Sequence, residues 1–276
     1  MNPGRALTLG FAWSWLLLFS LLPLAVILAI ALAAPADTVP PFAFALDPTT
    51  LGLAATDPIY RTALWLSLRT ASIATAGCLA LGYPMALAIA RMPDRWRRVL
   101  LLAAMLPFWT GFLMRINAWI GLLRDGGWVD RVFAFLDVAP PHLLYTDTAM
   151  WIVMIYTYLP FMILPIYARL SKRDPRLEEA AADLGASPFR AFFSVVLPLS
   201  LPGVAAGVAL VFIPATGEFV IPDLLGGPGA RLIGRVLWEE FFNNRDWPMA
   251  ASLAILLLPI LLLPPLCVRL AKRAPE

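Results

Sequence analysis

The sequence predicts an all-α membrane protein with six transmembrane helices, and two observations lead to this prediction. The first is composition: 61% of the residues are apolar and 14% are charged, with a mean hydropathy of +0.78, whereas soluble domains have about 45–50% apolar and about 25% charged residues. The second is the long spacing between charges. A membrane-spanning helix needs about 20 apolar residues, and uncharged runs of this order occur at 11–34, 70–90, 148–168, 191–217 and 247–268.

A shorter uncharged run at 99–114 continues through Arg115 and supplies the remaining helix. The predicted segments are, in chain order, a cytoplasmic tail at 1–10, a first helix at 11–34, an outer loop at 35–60, a core domain at 61–270 with helices at about 61–90, 99–123, 149–170, 198–222 and 248–270, and a cytoplasmic tail at 271–276.

The first helix has an alternative interpretation as a signal peptide, because Ala34-Pro35-Ala36 is similar to a signal-peptidase site. The apolar region of a secretory signal is about 7–15 residues long, whereas the uncharged run at 11–34 is longer. We therefore expect an uncleaved first span, with a removed signal as the alternative.

Basic residues predict the orientation. Lys and Arg are concentrated at 91–98, at 169–176 and close to both termini, and basic residues favour the cytoplasmic side of a membrane. Both termini and the loop at 171–198 are therefore predicted to be cytoplasmic. The pI of about 9.1 follows from this topology, and we expect membrane lipid as a partner and no nucleic acid.

Several kinds of chemistry are excluded by the inventory of reactive residues. The two cysteines, Cys78 and Cys267, and the single His142 support neither a disulfide framework nor a metal site. Lys172 and Lys272 are the only lysines, and neither precedes Ser or Thr, as the phosphate-binding Walker A loop requires. We therefore expect no metal, no bound cofactor and no ATPase activity in this chain.

The loop at 171–198 carries two helix-start signals. Asp174 precedes a proline and Ser187 precedes another, and a capping side chain before proline is typical of a helix N-terminus. Gly185 between them is a natural helix stop. The first helix has a small-residue face flanked by acids, which suits docking on another protein. The second has a bulky stripe, which suits packing on the protein's own spans, and the alternative is a hairpin lying on the bilayer surface; the stripe consists of Phe189, Phe192, Phe193 and Val196.

The same loop resembles a known motif. Glu179-Ala180-Ala181-x3-Gly185-x9-Val195-x-Leu197-Pro198 is similar to the EAA loop of permease subunits of binding-protein-dependent ABC importers. The resemblance implies a coupling helix at 174–186 that docks on two ATP-binding subunits, which hydrolyse ATP with Mg. The coupling residues it implies are Leu177, Glu178, Glu179, Ala180, Ala181, Asp183, Leu184, Gly185 and Ala186.

A wider resemblance, over about 61–270, is to the polyamine transport family and especially to its putrescine permeases. It is carried by 106–119, 158–162, 212–228 and 233–248. It implies the type I ABC importer permease fold, the bacterial inner membrane, a second homologous permease chain and an extracytoplasmic solute-binding protein. The outer loops at 124–147 and 223–247 would contact that binding protein. An interfacial helix at the lipid headgroups is the alternative for the second loop, whose predicted contact residues are Asp223, Trp238, Glu239 and Glu240.

Three charged residues fall inside predicted spans: Arg69, Arg115 and Glu218. Charge inside a membrane is costly and therefore points to function. One hypothesis is that Glu218 forms a structural ion pair with an arginine. The other is that Glu218 faces the substrate pathway and binds an ammonium group, with aromatic rings contacting the rest of an amine; the pathway residues are then Trp109, Arg115, Tyr158, Glu218 and Phe219.

We therefore expect the permease subunit of an ATP-driven polyamine importer, with putrescine as substrate. The alternatives are an ABC importer permease for another small solute, and a secondary transporter. A secondary transporter would not need the coupling loop and more often has an internal repeat.

Overall fold

The computed structural model describes residues 3–174 and 176–271, and most of them are helical. The predictions for Pro175 and for most of the tail at 271–276 lie outside the described residues. The helices are α1 (Pro3–Ala31), α2 (Thr49–Thr56), α3 (Pro58–Arg91), α4 (Asp94–Trp109), α5 (Phe112–Leu123), α6 (Trp128–Phe135), α7 (Asp147–Leu170), α8 (Arg176–Asp183), α9 (Pro188–Ala191), α10 (Leu197–Thr216), α11 (Val220–Leu225), α12 (Ile233–Trp238) and α13 (Trp247–Ala271), with π-helical turns at Phe192–Val196 and Glu239–Asn243.

Within the described residues, four helices are long and apolar enough to cross a membrane: Leu9–Ala31, Pro58–Arg91, Asp147–Leu170 and Pro188–Thr216. The bent pair α4 and α5 makes a fifth if it counts as one span, and α13 has a shorter apolar portion at Trp247–Leu262. The helical membrane fold is thus as predicted, while the count of six spans stays a prediction.

The continuous helix predicted at 99–123 is wrong. Helix α4 ends at Trp109, and the next apolar helix runs at 92° to it from Phe112. Thr110 and Gly111 between them have extended backbone, and the Thr110 hydroxyl donates to the Pro107 carbonyl oxygen at 2.9 Å. Pro107 itself has no backbone N–H and weakens the last turn of α4, which accounts for the break.

The helix predicted at 198–222 also has different bounds. Helix α9 runs through the π-helical turn directly into α10, so the second helix of the 171–198 loop is continuous with a membrane-spanning helix. At the other end α10 stops at Thr216, and α11 begins only at Val220. Glu218 therefore lies in a break between helices, not inside one.

The phenylalanine stripe of this loop packs on the protein only in part. Val196 is buried, and the Phe192 ring lies edge-on to Tyr83 with 5.8 Å between centroids. Phe189 and Phe193 stack on each other at 4.7 Å but are 74% and 50% exposed. The prediction that the whole stripe packs on the spans is therefore wrong for these two rings.

Structure also occurs where a loop and a tail were predicted. Residues 35–60 contain one strand of an antiparallel pair, in which Ala34–Pro35 pairs with Phe42–Ala43, and then helix α2. Helix α1 begins at Pro3, well before residue 11.

The described chain divides into two compact units, which cut across the predicted core domain at 61–270. One contains the residues up to Ala63 and Val236–Leu261, and the other contains Leu64–Arg235 and the described residues from Leu262. In the first unit the buried Ser252 hydroxyl donates to the Ala31 carbonyl oxygen at 3.3 Å, and the Phe241 and Trp247 rings stack at 5.0 Å.

The second unit is built around α7, which packs most extensively on α10. Two glycines of α10, Gly203 and Gly207, permit this close approach. A Cβ atom at Gly203 would lie 2.6 Å from the Pro165 carbonyl oxygen, and one at Gly207 would lie 2.7 Å from the Met162 sulfur. This small-x3-small spacing is typical of tightly packed membrane helices.

We predict that Gly203→Ala lowers the free energy of unfolding by about 1–3 kcal/mol, the usual cost of overpacking, because the clash is with fixed backbone. Thermal unfolding of the purified protein measures this. Gly121→Ala is the matched control, since a Cβ atom there meets no atom within 4 Å. Equal melting temperatures for the two variants would contradict the packing account.

Candidate functional site

The Glu218 carboxylate is held at the break between α10 and α11. Its Oε1 atom accepts hydrogen bonds from the backbone N–H groups of Phe219 and Val220, at 3.1 and 3.0 Å. Tyr158 of α7 contacts the same carboxylate from across the unit. The Tyr158 hydroxyl donates to Oε2 at 2.5 Å, and Tyr158 itself is 6% exposed.

The break is supported from behind by the start of α12. A Cβ atom at Gly234 would lie 2.4 Å from the Gly217 carbonyl oxygen and 3.0 Å from that of Glu218, so only glycine fits. The neighbouring Ile233 N–H donates to the buried Ser67 hydroxyl of α3 at 2.7 Å. Helices α3, α7 and α10 together thus position one carboxylate.

The Glu218 carboxylate can accept a further hydrogen bond. A carboxylate offers about four lone-pair positions, and the described donors use three of them. The side chain is half-buried and therefore partly reachable. The arrangement can accept one more hydrogen bond from a cation that approaches the break.

Among the described residues, no ion pair joins Glu218 to Arg69 or Arg115. Arg69 lies over the Trp151 ring at 6.0 Å. Arg115 lies over the rings of Phe108 and Phe112 at 5.6 and 5.8 Å, and its Nε and Nη1 atoms are buried without a described hydrogen-bond partner. The structural ion-pair hypothesis therefore receives no support from this geometry.

A row of aromatic rings leads from Tyr158 to Arg115. The Tyr158 and Phe161 centroids are 6.4 Å apart, and Phe161 meets Phe108 edge-on at 4.9 Å. Phe108 in turn lies beneath Arg115. Sequence reasoning did not assign Phe108 or Phe161 to the site, although Phe161 follows Tyr158 by three residues and so shares its helix face.

Two residues of the predicted pathway set are less involved in this arrangement. The Trp109 side chain is 79% exposed at the end of α4, and no contact with Tyr158 or Glu218 is described for it. Phe219 is 38% exposed, and its backbone N–H donates to Glu218. The structure thus brings together Tyr158, Glu218 and the Phe219 backbone, with Arg115 at the far end of the aromatic row.

The predicted coupling segment forms the short helix α8 and a turn. The Asp174 carboxylate accepts from the Arg176 N–H at 3.0 Å, and the Ser187 hydroxyl accepts from the Arg190 N–H at 3.3 Å, so both predicted caps are present. Gly185 has φ +80°, which ends the helix as a left-handed residue does. Leu177 and Leu184 are 45% and 89% exposed, so both side chains are accessible to another protein.

The two adjacent glutamates of α8 have different environments. Glu178 is half-buried; one of its oxygens lies 3.2 Å from Arg91 at the end of α3, and the other contacts Arg173. Glu179 is exposed, and no partner is described for it. Glu178 therefore ties α8 to the spans, while Glu179 is available to an external protein.

The four predicted binding-protein contacts divide between the two units. Asp223 forms an ion pair with Arg235 at 3.2 Å and remains exposed. Glu240, in the first unit, accepts hydrogen bonds from the Tyr60 hydroxyl at 3.0 Å and from the Asn244 amide at 2.8 Å. Trp238 packs at 5.3 Å on Phe242 and is 39% exposed, and Glu239 is half-buried. Glu240 is thus engaged within its own unit.

Comparison with known proteins gives consistent matches. Residues 79–274 match the family described as "Binding-protein-dependent transport system inner membrane component". The chain is 38% identical over 257 residues to the spermidine/putrescine transport system permease protein PotB of Haemophilus influenzae, covering 92% of this chain and 89% of that protein. It is 40% identical to PotB of Escherichia coli over 246 residues, with 88% of each chain covered.

A solved structure shares the fold. The match is to a chain of a bacterial alginate ABC transporter in complex with an alginate pentasaccharide-bound periplasmic protein, with a TM-score of 0.68 and 15% identity. It covers 98% of this chain and 93% of that one. The predicted type I ABC importer permease fold is therefore confirmed.

We predict that Glu178→Gln loosens α8 whereas Glu179→Gln does not, because only Glu178 is paired within the chain. Hydrogen exchange of residues 176–183 should become faster by about five-fold or less, since a partly exposed ion pair contributes about 1 kcal/mol or less. Equal exchange in both variants would contradict the tie to Arg91 and Arg173.

Proposed function

Because the chain belongs to the family of inner membrane components of binding-protein-dependent transport systems, we propose that it is the polyamine-conducting permease of an ATP-driven importer, with putrescine as its substrate. The chain is a multi-pass permease subunit of the bacterial inner membrane, and it has no ATPase of its own. A periplasmic solute-binding protein is a partner of the system. What remains to be proposed is the solute, the route and the coupling.

One observation supports an amine as the solute: a carboxylate kept at a helix break with an unused acceptor position and an aromatic row beside it. An ammonium group would take the free position on Glu218. The methylene chain of the amine would lie along Tyr158 and Phe161, where rings also attract cations. The named transport of spermidine and putrescine by the PotB relatives agrees with this chemistry.

Arg115 bears on which amine fits. Its guanidinium is fixed over Phe108 at the other end of the row, and like charges repel more strongly at low dielectric. A short diamine avoids this cation more easily than a longer triamine does. Putrescine is therefore the proposed substrate, and spermidine is the informative competitor.

The coupling proposal places two ATP-binding subunits at α8, with a second homologous permease chain completing the pathway. Exposed Leu177, Leu184 and Glu179 would contact the ATP-binding subunits. The ion pairs from Glu178 to Arg91 and Arg173 would transmit the movement of the ATP-binding subunits to α3 and to the turn that follows α7. Since α9 continues through a π-helical turn into α10, the same movement would reach the break at Glu218.

We expect Glu218→Gln to lower putrescine uptake by about ten- to a hundred-fold, because a hydrogen bond to a charged group contributes about 1.5–3 kcal/mol. The measurement is ATP-dependent uptake of radiolabelled putrescine into proteoliposomes that hold the whole complex and its binding protein. Asp37→Asn, an exposed carboxylate outside the site, is the matched control. Tyr158→Phe should give a smaller loss, because the charge remains.

Three outcomes separate the parts of this proposal. Wild-type uptake by an assembled Glu218→Gln complex would remove Glu218 from the route. ATP hydrolysis without uptake of either amine would overturn the proposed substrate, while the assignment to the importer family would stand. Uptake of spermidine in preference to putrescine would overturn only the choice of diamine.

We expect Glu179→Lys to abolish uptake and to weaken retention of the ATP-binding subunits during purification, with no change in thermal unfolding. The reason is that Glu179 has no described partner within the chain, so its reversal disturbs only an external contact. Asp94→Lys is the control: it reverses another exposed charge that is predicted to be cytoplasmic, whose described ion pair is with Arg97 in the same helix. Normal uptake by the Glu179 variant would overturn the coupling role.

A further inference from the structure

The turn between α5 and α6 forms a concave surface apart from the Glu218 site and the α8 segment. The concavity is about 400 Å³ and is lined by residues 118–131, among them Arg124, Trp128 and Arg131. The turn is tight: Gly126 has φ +72°, and a Cβ atom at Gly127 would lie 2.6 Å from the Arg124 carbonyl oxygen. Both glycines are therefore needed to place the two arginines around one space.

The carboxylates next to these arginines are already engaged. Asp125 Oδ1 lies 3.0 Å from His142 Nδ1, and this contact raises the pKa of His142. Asp130 accepts the Gly126 N–H at 2.7 Å. Within the described residues, neither Arg124 nor Arg131 has a carboxylate partner, and Arg131 lies over the Trp128 ring at 5.5 Å. Among the described residues, the two arginines at this concavity thus form no ion pair.

The helix that follows has an apolar face in an unusual place. Trp128, Val132, Phe135 and Leu136 are 66%, 55%, 89% and 62% exposed, and their spacing puts them on one side of α6. Helix α6 is too short to cross a membrane but directly follows the apolar α5. Apolar side chains and tryptophan beside arginine are typical of a segment that lies at the lipid headgroups.

We propose that this surface binds an anionic phospholipid, with its phosphate on Arg124 and Arg131 and its acyl chains along the face of Trp128, Val132 and Phe135. The arginine guanidinium is suited to phosphate because it donates in a fork. A soluble phosphate or an acidic protein surface would satisfy the arginines but leave the apolar face in water. The lipid satisfies both.

The test is lipid retention by the purified full complex, measured by native mass spectrometry after exchange into defined mixtures of phosphatidylglycerol and phosphatidylcholine. We expect R124Q/R131Q to retain about thirtyfold less phosphatidylglycerol, the effect expected for two basic residues near an anionic lipid surface. R61Q/R245Q removes the same charge from exposed arginines elsewhere and should retain the wild-type amount. R124K/R131K should recover part of the binding, which excludes loss of folding as the cause.

Further experiments identify the source of the phosphate and the class of partner. Glycerol phosphate should not displace the intact lipid if the apolar face contributes, and V132S/F135S should weaken retention without any change in charge. Equal phosphatidylglycerol retention by R124Q/R131Q and wild type would overturn the proposal. The proposal would also be overturned if R124Q/R131Q kept its lipid but bound the solute-binding protein more weakly. That result would assign the surface to the solute-binding protein.

Discussion

The hydrogen bond between Tyr158 and Glu218 is the interaction on which the candidate site in the second unit depends. It joins the middle of α7 to the break that ends α10, at 2.5 Å. A carboxylate at membrane depth is costly unless it is paired or hydrogen-bonded, and here a buried hydroxyl and two backbone N–H groups stabilise it. Because none of these donors is a cation, the charge of Glu218 is not neutralised within the described chain. This is the basis on which we propose that Glu218 binds a cationic solute.

Close helix packing makes this hydrogen bond possible. Gly203 and Gly207 let α10 approach α7 to a distance that a side chain would prevent, and Gly234 supports the break from behind. Glu178 in turn connects α8 to Arg91 at the end of α3 and to Arg173 in the turn after α7. A displacement of α8 would therefore act on the elements that hold Glu218, which gives the proposed coupling a physical route.

Much of the fold could be predicted from sequence, since uncharged runs and positive loops have direct physical causes. The caps at Asp174 and Ser187 and the stop at Gly185 were also predictable, because they depend on neighbouring residues alone. The breaks at Gly111 and at Gly217–Phe219 were not. Prolines marked several possible breaks, and tertiary contacts decide which of them the chain uses. Glu218 was therefore placed inside a helix that in fact ends two residues earlier.

The contacts between side chains could likewise be predicted only in part. The sequence placed Tyr158 and Glu218 in the same predicted pathway but could not predict the hydrogen bond between them, because they are sixty residues apart. It grouped Glu178 with Glu179, although one is bound by arginines and the other is exposed. Adjacent residues on a helix point in different directions, so only the positions of α3 and α7 distinguish their roles.

The most direct measurement of the central claim is the structure of the assembled importer with putrescine trapped in the membrane. The account predicts an ammonium nitrogen within about 3 Å of a Glu218 oxygen, the usual length of a charge-assisted hydrogen bond, with the methylene chain beside Tyr158 and Phe161. An arginine of the second permease chain paired with Glu218, with the amine bound elsewhere, would contradict it.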